Sequence, residues 1–198
     1  MIFKDISTDQ ETIYRLKENE QVVFFLFNRD GEITFELSGR GAAAHIFSFF
    51  IGKGTETKKL SIIQKHLAPD TTSSAVVKNV LFDASEYTYE GLVHITKDGK
   101  GSDASQECRT LLLSKDAKAF TKPALEILAD DVRCRHAATV SPLNQESFFF
   151  AQSRGLSPEE ARELLVGGFF RSSLQSLSTL VPSEDSEKML SWLLQASV

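Results

Sequence analysis

Apolar positions in the first two thirds of the chain gather into runs of strand length, over residues 21–28, 32–38, 43–51, 58–67, 74–82, 87–96, 107–113, 117–128 and 131–140. Several of them alternate. Ile33, Phe35 and Leu37 are separated by Thr34 and Glu36, and a period of two puts the three apolar side chains on one face of a strand. Between the runs stand Arg29-Asp30-Gly31, Gly52-Lys53-Gly54, Pro69-Asp70-Thr71 and Asp98-Gly99-Lys100-Gly101, whose glycines, proline and aspartates favour turns. Residues 21–140 are therefore predicted to be all-β. They follow a short segment, residues 1–20, whose polar stretch 10–18 reads as a helix. Strands at this spacing suit a sandwich, a barrel or a solenoid, and no residue motif recurs at a fixed period to choose among them.

The period changes after residue 140. Asn144 stands where a helix N-cap would, with Glu146 in the first turn and Gly155 as the stop. Ser157, Pro158 and Glu160 carry the signature of a capping box with proline at the first helical position. Ala161, Leu164, Leu165, Phe169 and Leu174 then recur at helical spacing, although Gly167-Gly168 sets two weak helix formers in the middle. A third helix is predicted beyond Pro182-Ser183, with Met189, Leu190, Leu193 and Leu194 apolar, so that residues 141–198 form a helical subdomain.

Composition narrows the partners. With 198 residues, 41% hydrophobic and 25% charged, the chain is long enough and apolar enough to bury one core. A formal net charge of −5 argues against nucleic acid, whose binders concentrate Lys and Arg to displace condensed counterions. No run approaches the ~20 apolar residues that span a bilayer. The opening Met1-Ile2-Phe3-Lys4-Asp5 lacks the basic-then-apolar order of a secretory signal. A cytoplasmic protein without a membrane partner is the expectation, and two cysteines, Cys108 and Cys134, are too few for a disulfide framework.

The sharpest chemical feature is Cys134-Arg135-His136. On a strand, positions two apart face the same side, so a thiol and an imidazole stand about 7 Å apart at their Cα atoms, a pair suited to iron or zinc. Val132 and Ala138 share that face, so spacing alone favours reading Cys134 and His136 as inward-pointing, hydrogen-bonded residues over reading them as ligands. Cys108 reads as a buried small hydrophobe and His45 as structural, while His66 and His94, near strand ends, read as turn or surface residues. Asp130-Asp131 reads as a solvated bend. A phosphate-binding loop, a dinucleotide fingerprint, a nucleophile elbow and a Cys-x-x-Cys pair are all absent, so the chain is not expected to be an enzyme.

Four segments, in order, resemble the core of the SufB/SufD family of iron–sulfur cluster assembly proteins. They are His66-Leu67-Ala68-Pro69-Asp70-Thr71-Thr72-Ser73; residues 106–114 with their Leu-Leu-Leu-Ser ending; residues 125–140 around Asp130-Asp131-Val132-Arg133-Cys134-Arg135-His136; and Ser153-Arg154-Gly155-Leu156-Ser157 with the helix that follows. The resemblance implies a right-handed parallel β-helix, a β-solenoid, with a C-terminal α-helical subdomain. It implies a subunit that docks a SufC-like ABC ATPase, with Ser157, Glu160, Leu164, Leu165 and Phe169 as the partner-binding candidates, while the same apolar helix face reads equally as a cover for the open end of the solenoid. It also implies pairing with a SufB-like subunit or a second copy of this chain, by sheets continued across the interface. His136 matches the histidine that SufD-type members hold near that interface, which makes it, with Cys134, the candidate cofactor-binding and metal-binding site for a transient iron or iron–sulfur cluster. The cluster-holding cysteine of SufB-type members falls at Ala117, and Arg135 and Ala137 replace the smaller residues usual beside the histidine. A homodimeric β-solenoid interaction protein that has lost cluster chemistry is the rival expectation.

Overall fold

The computed structural model describes residues 1–181 together with Met189 and Leu193. Among these, eleven strands precede two helices: β1 (Ile2–Asp5), β2 (Ile13–Leu16), β3 (Gln21–Phe27), β4 (Gly31–Leu37), β5 (Ala43–Gly52), β6 (Thr57–His66), β7 (Thr72–Leu81), β8 (Glu86–Ile95), β9 (Asp103–Leu112), β10 (Lys118–Ile127), β11 (Arg133–Pro142), α1 (Gln145–Ser153) and α2 (Pro158–Ser178). The odd strands form one sheet in the order β1-β3-β5-β7-β9-β11, and the even strands form the other, β10-β8-β6-β4-β2. Neighbours in both sheets pair in parallel. The chain therefore lays one strand in each sheet per coil, which is a β-solenoid.

The corners explain how so regular a stack arises without a repeated motif. Asn19, Gly41, Asp70, Gly101 and Asp131 all adopt positive φ, at 56°, 70°, 58°, 74° and 57°. They stack on one another through backbone hydrogen bonds from Asn19 N to the Arg40 carbonyl, Gly41 N to Pro69, Asp70 N to Lys100, and Gly101 N to Asp131. Asn, Asp and Gly are the residues that tolerate this conformation, so the repeat is conformational and any of the three serves.

Burial distinguishes the sheets. Strands β6 and β8 alternate buried and half-buried positions, with aromatic and aliphatic side chains inward and ion pairs such as Lys59–Glu90 and Lys65–Glu36 on the outer face. In β3 and β5 nearly every residue is buried. Both faces of these two strands are covered, the inner by the opposite sheet and the outer by α2. Two-sided burial explains why residues 22–27 and 46–51 read as nearly continuous apolar runs. Inside, Tyr14, Phe24 and Phe35 pack with centroids 4.8–5.6 Å apart, and Phe50 stacks on Tyr87 at 4.6 Å. Outside, Phe170, Leu174 and Leu177 of α2 join Phe25, Phe49 and Val80, and Met189 and Leu193, both helical, belong to the same cluster.

The expected helix over residues 10–18 is not formed. Tyr14 and Leu16 are buried while Ile13 and Arg15 are exposed, and this four-residue alternation pairs β2 with β4. Polar flanks concealed it. Arg29 closes this first coil from inside, donating from Nη1 to the Ile6 carbonyl at 2.6 Å and to Tyr14 Oη at 3.0 Å, and from Nη2 to the Glu11 carbonyl. Both helix starts agree with the sequence reading: Asn144 Oδ1 accepts from Ser147 N, and Ser157 and Glu160 form the reciprocal capping box. The predicted third helix falls outside the described residues apart from Met189 and Leu193.

Candidate functional site

Among the described residues the last coil, β10 and β11, has a neighbouring coil on one side only. In β11 Cys134 stacks over Ala104, His136 over Gln106 and Ala138 over Cys108, and in β10 Leu125 stacks over Val93 and Ile127 over Ile95. The underlying residues Ala104, Gln106, Cys108, Val93 and Ile95 are buried, whereas Leu125, Ile127, Val140 and His136 are exposed. The interior of the solenoid thus opens at a mouth rimmed by two edge strands of ten residues each.

The two halves of the Cys134/His136 pair meet different surroundings. Cys134, like Ala129 and Val132, packs against the buried cluster of Val93, Ile95 and Ala104, and burial, with the Asp103 carboxylate adding to it, pushes its thiol pKa up. His136 is exposed and helps line a shallow depression of ≈300 Å³ with Ser105, Glu107, Arg135 and Ala137. Among the described residues no three His, Cys, Asp or Glu side chains converge as a metal site would require. The pair offers at most two donors, and a cluster held here needs ligands from elsewhere. Ala117 lies buried in the inner core, and Cys108, also buried, has a pKa pushed up to about 11 by desolvation.

Beneath the mouth runs a buried polar chain that sequence reasoning did not assemble. Ser102 Oγ lies 2.7 Å from Thr71 Oγ1, which lies 2.7 Å from His66 Nδ1; His66 Nε2 lies 2.8 Å from Ser73 Oγ, which accepts from Gln64 Nε2 at 2.7 Å. Gln64 Oε1 in turn accepts from Gln106 Nε2 at 3.2 Å. Far from a surface turn residue, His66 is fully buried, and desolvation lowers its pKa to about 4. It is a neutral core histidine. The cue was its period-two place after Ile62 and Gln64 on β6. His45 is half-buried with Nδ1 2.8 Å from Ser74 Oγ, and His94 is partly exposed, 3.9 Å from Glu126.

The helices carry a second surface. Phe150, Ala151, Arg154, Leu156, Leu164 and Leu165 line an apolar groove of ≈520 Å³ between α1 and α2. In its lining Phe150 and Leu164 are 59% and 58% exposed, and Phe149, next to Phe150 on α1, is 71% exposed, far more than large apolar side chains usually are. Of the partner-binding candidates, Leu164 and Leu165 face this groove. Ser157 and Glu160 are engaged with each other in the capping box, and Phe169 turns towards the odd sheet, its ring 4.5 Å from Lys78 Nζ. Phe149 and Phe150 were missed because the helical period of α1 is obscured by three consecutive phenylalanines.

The profile of the family described as SUF system FeS cluster assembly, SufBD core domain, matches residues 28–169. An iron–sulfur cluster assembly SufBD family protein of Staphylococcus saprophyticus is 37% identical over 134 residues. The iron–sulfur cluster assembly protein SufB of Bacillus subtilis is 35% identical over 133, and a SufBD family protein of Staphylococcus haemolyticus is 36% identical over 134. Each match covers 67% of this chain and 29% of the relative, so the chain spans under a third of the length of the curated relatives it matches.

Proposed function

The chain belongs to the SufB/SufD family of iron–sulfur cluster assembly proteins, and on that premise we propose that it is a SufD-like, non-enzymatic subunit of a cytoplasmic assembly complex. It docks a SufC-type ABC ATPase on its C-terminal helices and pairs through the mouth of its solenoid with a SufB-like subunit or a second copy of itself. The observation that carries this reading is the mouth. Among the described residues β10 and β11 are full-length edge strands with a strand paired on one side only, beside exposed Leu125, Ile127 and Val140, a surface that a second sheet can extend. His136 lies on that rim, so donors from a partner can complete what this chain supplies only in part. Iron or a nascent cluster is then cargo, held between subunits by His136 and, where its thiol is deprotonated, by Cys134.

A second reading is supported by Ala117, which offers no ligand, and by the raised thiol pKa of Cys134. It is a homodimeric solenoid without cluster chemistry. Among the described residues no helix is long and apolar enough to cross a membrane, in keeping with either reading.

Affinity purification of the tagged chain under anaerobic conditions tests the proposal. The control is Phe149→Asp combined with Leu164→Asp, which leaves α2 on the apolar outer face of the odd sheet. Recovery of a SufC-type ATPase with the native chain and its loss with the double variant supports the assembly role. A colourless homodimer, free of iron, sulfide and ATPase, supports the second reading instead.

A further inference from the structure

Helix α2 is one continuous helix with two different attachments. Its C-terminal half lies on the odd sheet, where Phe170, Leu174 and Leu177 are buried against Phe25, Phe49 and Val80. Its N-terminal half belongs with α1: Ala161 is buried, the Arg162 guanidinium stands 6.0 Å from the Phe148 ring centre, and Leu164 and Leu165 share the groove with Phe150 and Ala151. Of this half, among the described residues, only Val166 joins the cluster packed on the sheet. Gly167 and Gly168 follow at once.

The second glycine has no steric reason to be there. A Cβ built on Gly168 meets no atom within 4 Å, and its backbone stays at negative φ, so alanine would fit and would make a stiffer helix. Gly155, by contrast, sits at φ +95° past the end of α1, where an L side chain is strained. What glycine supplies at 168 is backbone freedom. Immediately beyond it the helix is fastened: Lys78 Nζ donates to the Phe169 carbonyl and, at 2.7 Å, to Ser172 Oγ, and stands over the Phe169 ring. Lys78 is only 3% exposed, and among the described residues no carboxylate pairs with it.

We propose that Gly167–Gly168 is a hinge, and that α1 with residues 158–166 forms a docking head that rotates on it while Lys78 pins residues 169–178 to the solenoid. This rests on the reading of the α1–α2 groove as the ATPase-docking surface and adds how that surface moves. The head has a second tether, where Leu143 N bonds the Leu112 carbonyl just before Asn144 caps α1. Two tethers leave one easy rotation, about the line joining Asn144 to Gly168. Val166 acts as the catch, buried in the resting position and withdrawn when the head turns. A partner that grips the groove can then change its orientation without peeling α2 from the sheet, and the movement reaches the solenoid at Lys78 on β7.

Distance measurement on the isolated full chain tests this without the partner. Spin labels carried on noncanonical residues at Glu163 in the head and Thr57 on the even sheet are read by pulsed dipolar spectroscopy, in the native sequence and in Gly168→Ala. The native chain is expected to give a broad or two-peaked distribution, and the variant a single narrow peak with unchanged far-ultraviolet circular dichroism. Val166→Ala, which weakens the catch and leaves the hinge, should broaden the native distribution further. Equal narrow distributions in all three chains would overturn the hinge. Affinity for a purified SufC-type ATPase is measured separately: loss of binding in the groove variants with the distributions unaltered speaks to docking, so failure of one reading is not mistaken for failure of the other.

Discussion

His66 and Ser73 face each other across the solenoid interior, Nε2 to Oγ at 2.8 Å, and their contact holds the middle of a buried chain reaching from Ser102 to Gln106. The imidazole takes part as a neutral group, accepting at one nitrogen and donating at the other, and protonation would turn its acceptor into a donor. Desolvation lowers its pKa from 6.5 to about 4, so the folded state binds fewer protons than the unfolded state between these values. Stability is thus intact above about pH 6.5 and lost as pH falls towards 4, by roughly 2–3 kcal/mol. His45, also lowered by burial, acts in the same direction. Urea unfolding at pH 7.0 and 5.0 should show the loss, and His66→Gln should flatten it.

Lys78 gives a dependence at the other end of the scale. Burial, with Arg109 adding to it and Glu107 opposing it, lowers the ammonium pKa from 10.5 to about 8. Between these values the unfolded chain binds the extra proton, so stability rises as pH climbs from about 8 to 10.5, by roughly 1–3 kcal/mol. In Lys78→Met this rise should vanish, because an apolar side chain of similar length has no charge to desolvate. Thermal unfolding across pH 7.5 to 10 reads the difference, and an equal rise in both proteins would remove Lys78 as its source.

Gly91 makes room for the polar chain. A Cβ there would stand 2.3–2.4 Å from the Gln106 amide, whose Nε2 is bonded to Gln64. Gly91→Ala should cost about 1–3 kcal/mol by forcing that amide from its place. Adding Gln106→Ala should recover part of the loss, since the offending group is then gone. A double-mutant cycle by chemical denaturation measures the coupling.

His136 is exposed, so His136→Ala should leave the unfolding free energy within about 0.5 kcal/mol of the native chain. Iron and sulfide recovered with the anaerobic complex should nonetheless fall several-fold. Cys134→Ser separates the pair, because its thiol sits in an apolar corner and its loss bears on packing as well as on ligation. Unchanged iron in His136→Ala would take the histidine out of the site.

The removal of one anchor from the outer seam tests what holds α2. Phe170 is fully buried, with its ring centre 5.8 Å from that of Phe49. Phe170→Ala should destabilise by about 3–5 kcal/mol, and hydrogen exchange should rise first in residues 169–178. Uniform exchange throughout the chain would mean that α2 and the solenoid open as one unit.

Much of this molecule is written in local pattern. Nine of its strands and both helix starts are legible because alternation, turn residues and the Ser157–Glu160 capping box act within a few positions of one another. The near-continuous runs in β3 and β5 even carry the two-sided burial of those strands. The stacking is not local. Asn19, Gly41, Asp70, Gly101 and Asp131 share a backbone conformation and no single residue type, so the period escapes a search for recurring letters. Whether a histidine is core or surface depends on residues about thirty positions away, in the coils above and below. His66 has a coil on each side and is sealed into the interior, whereas His136, in the last coil among the described residues, has a coil on one side only and is left at the mouth. The sequence by itself determined strands, turns, caps and family. Only the tertiary structure decided which inward positions are closed over and which stay open, because burial in a solenoid is conferred by the neighbouring coil.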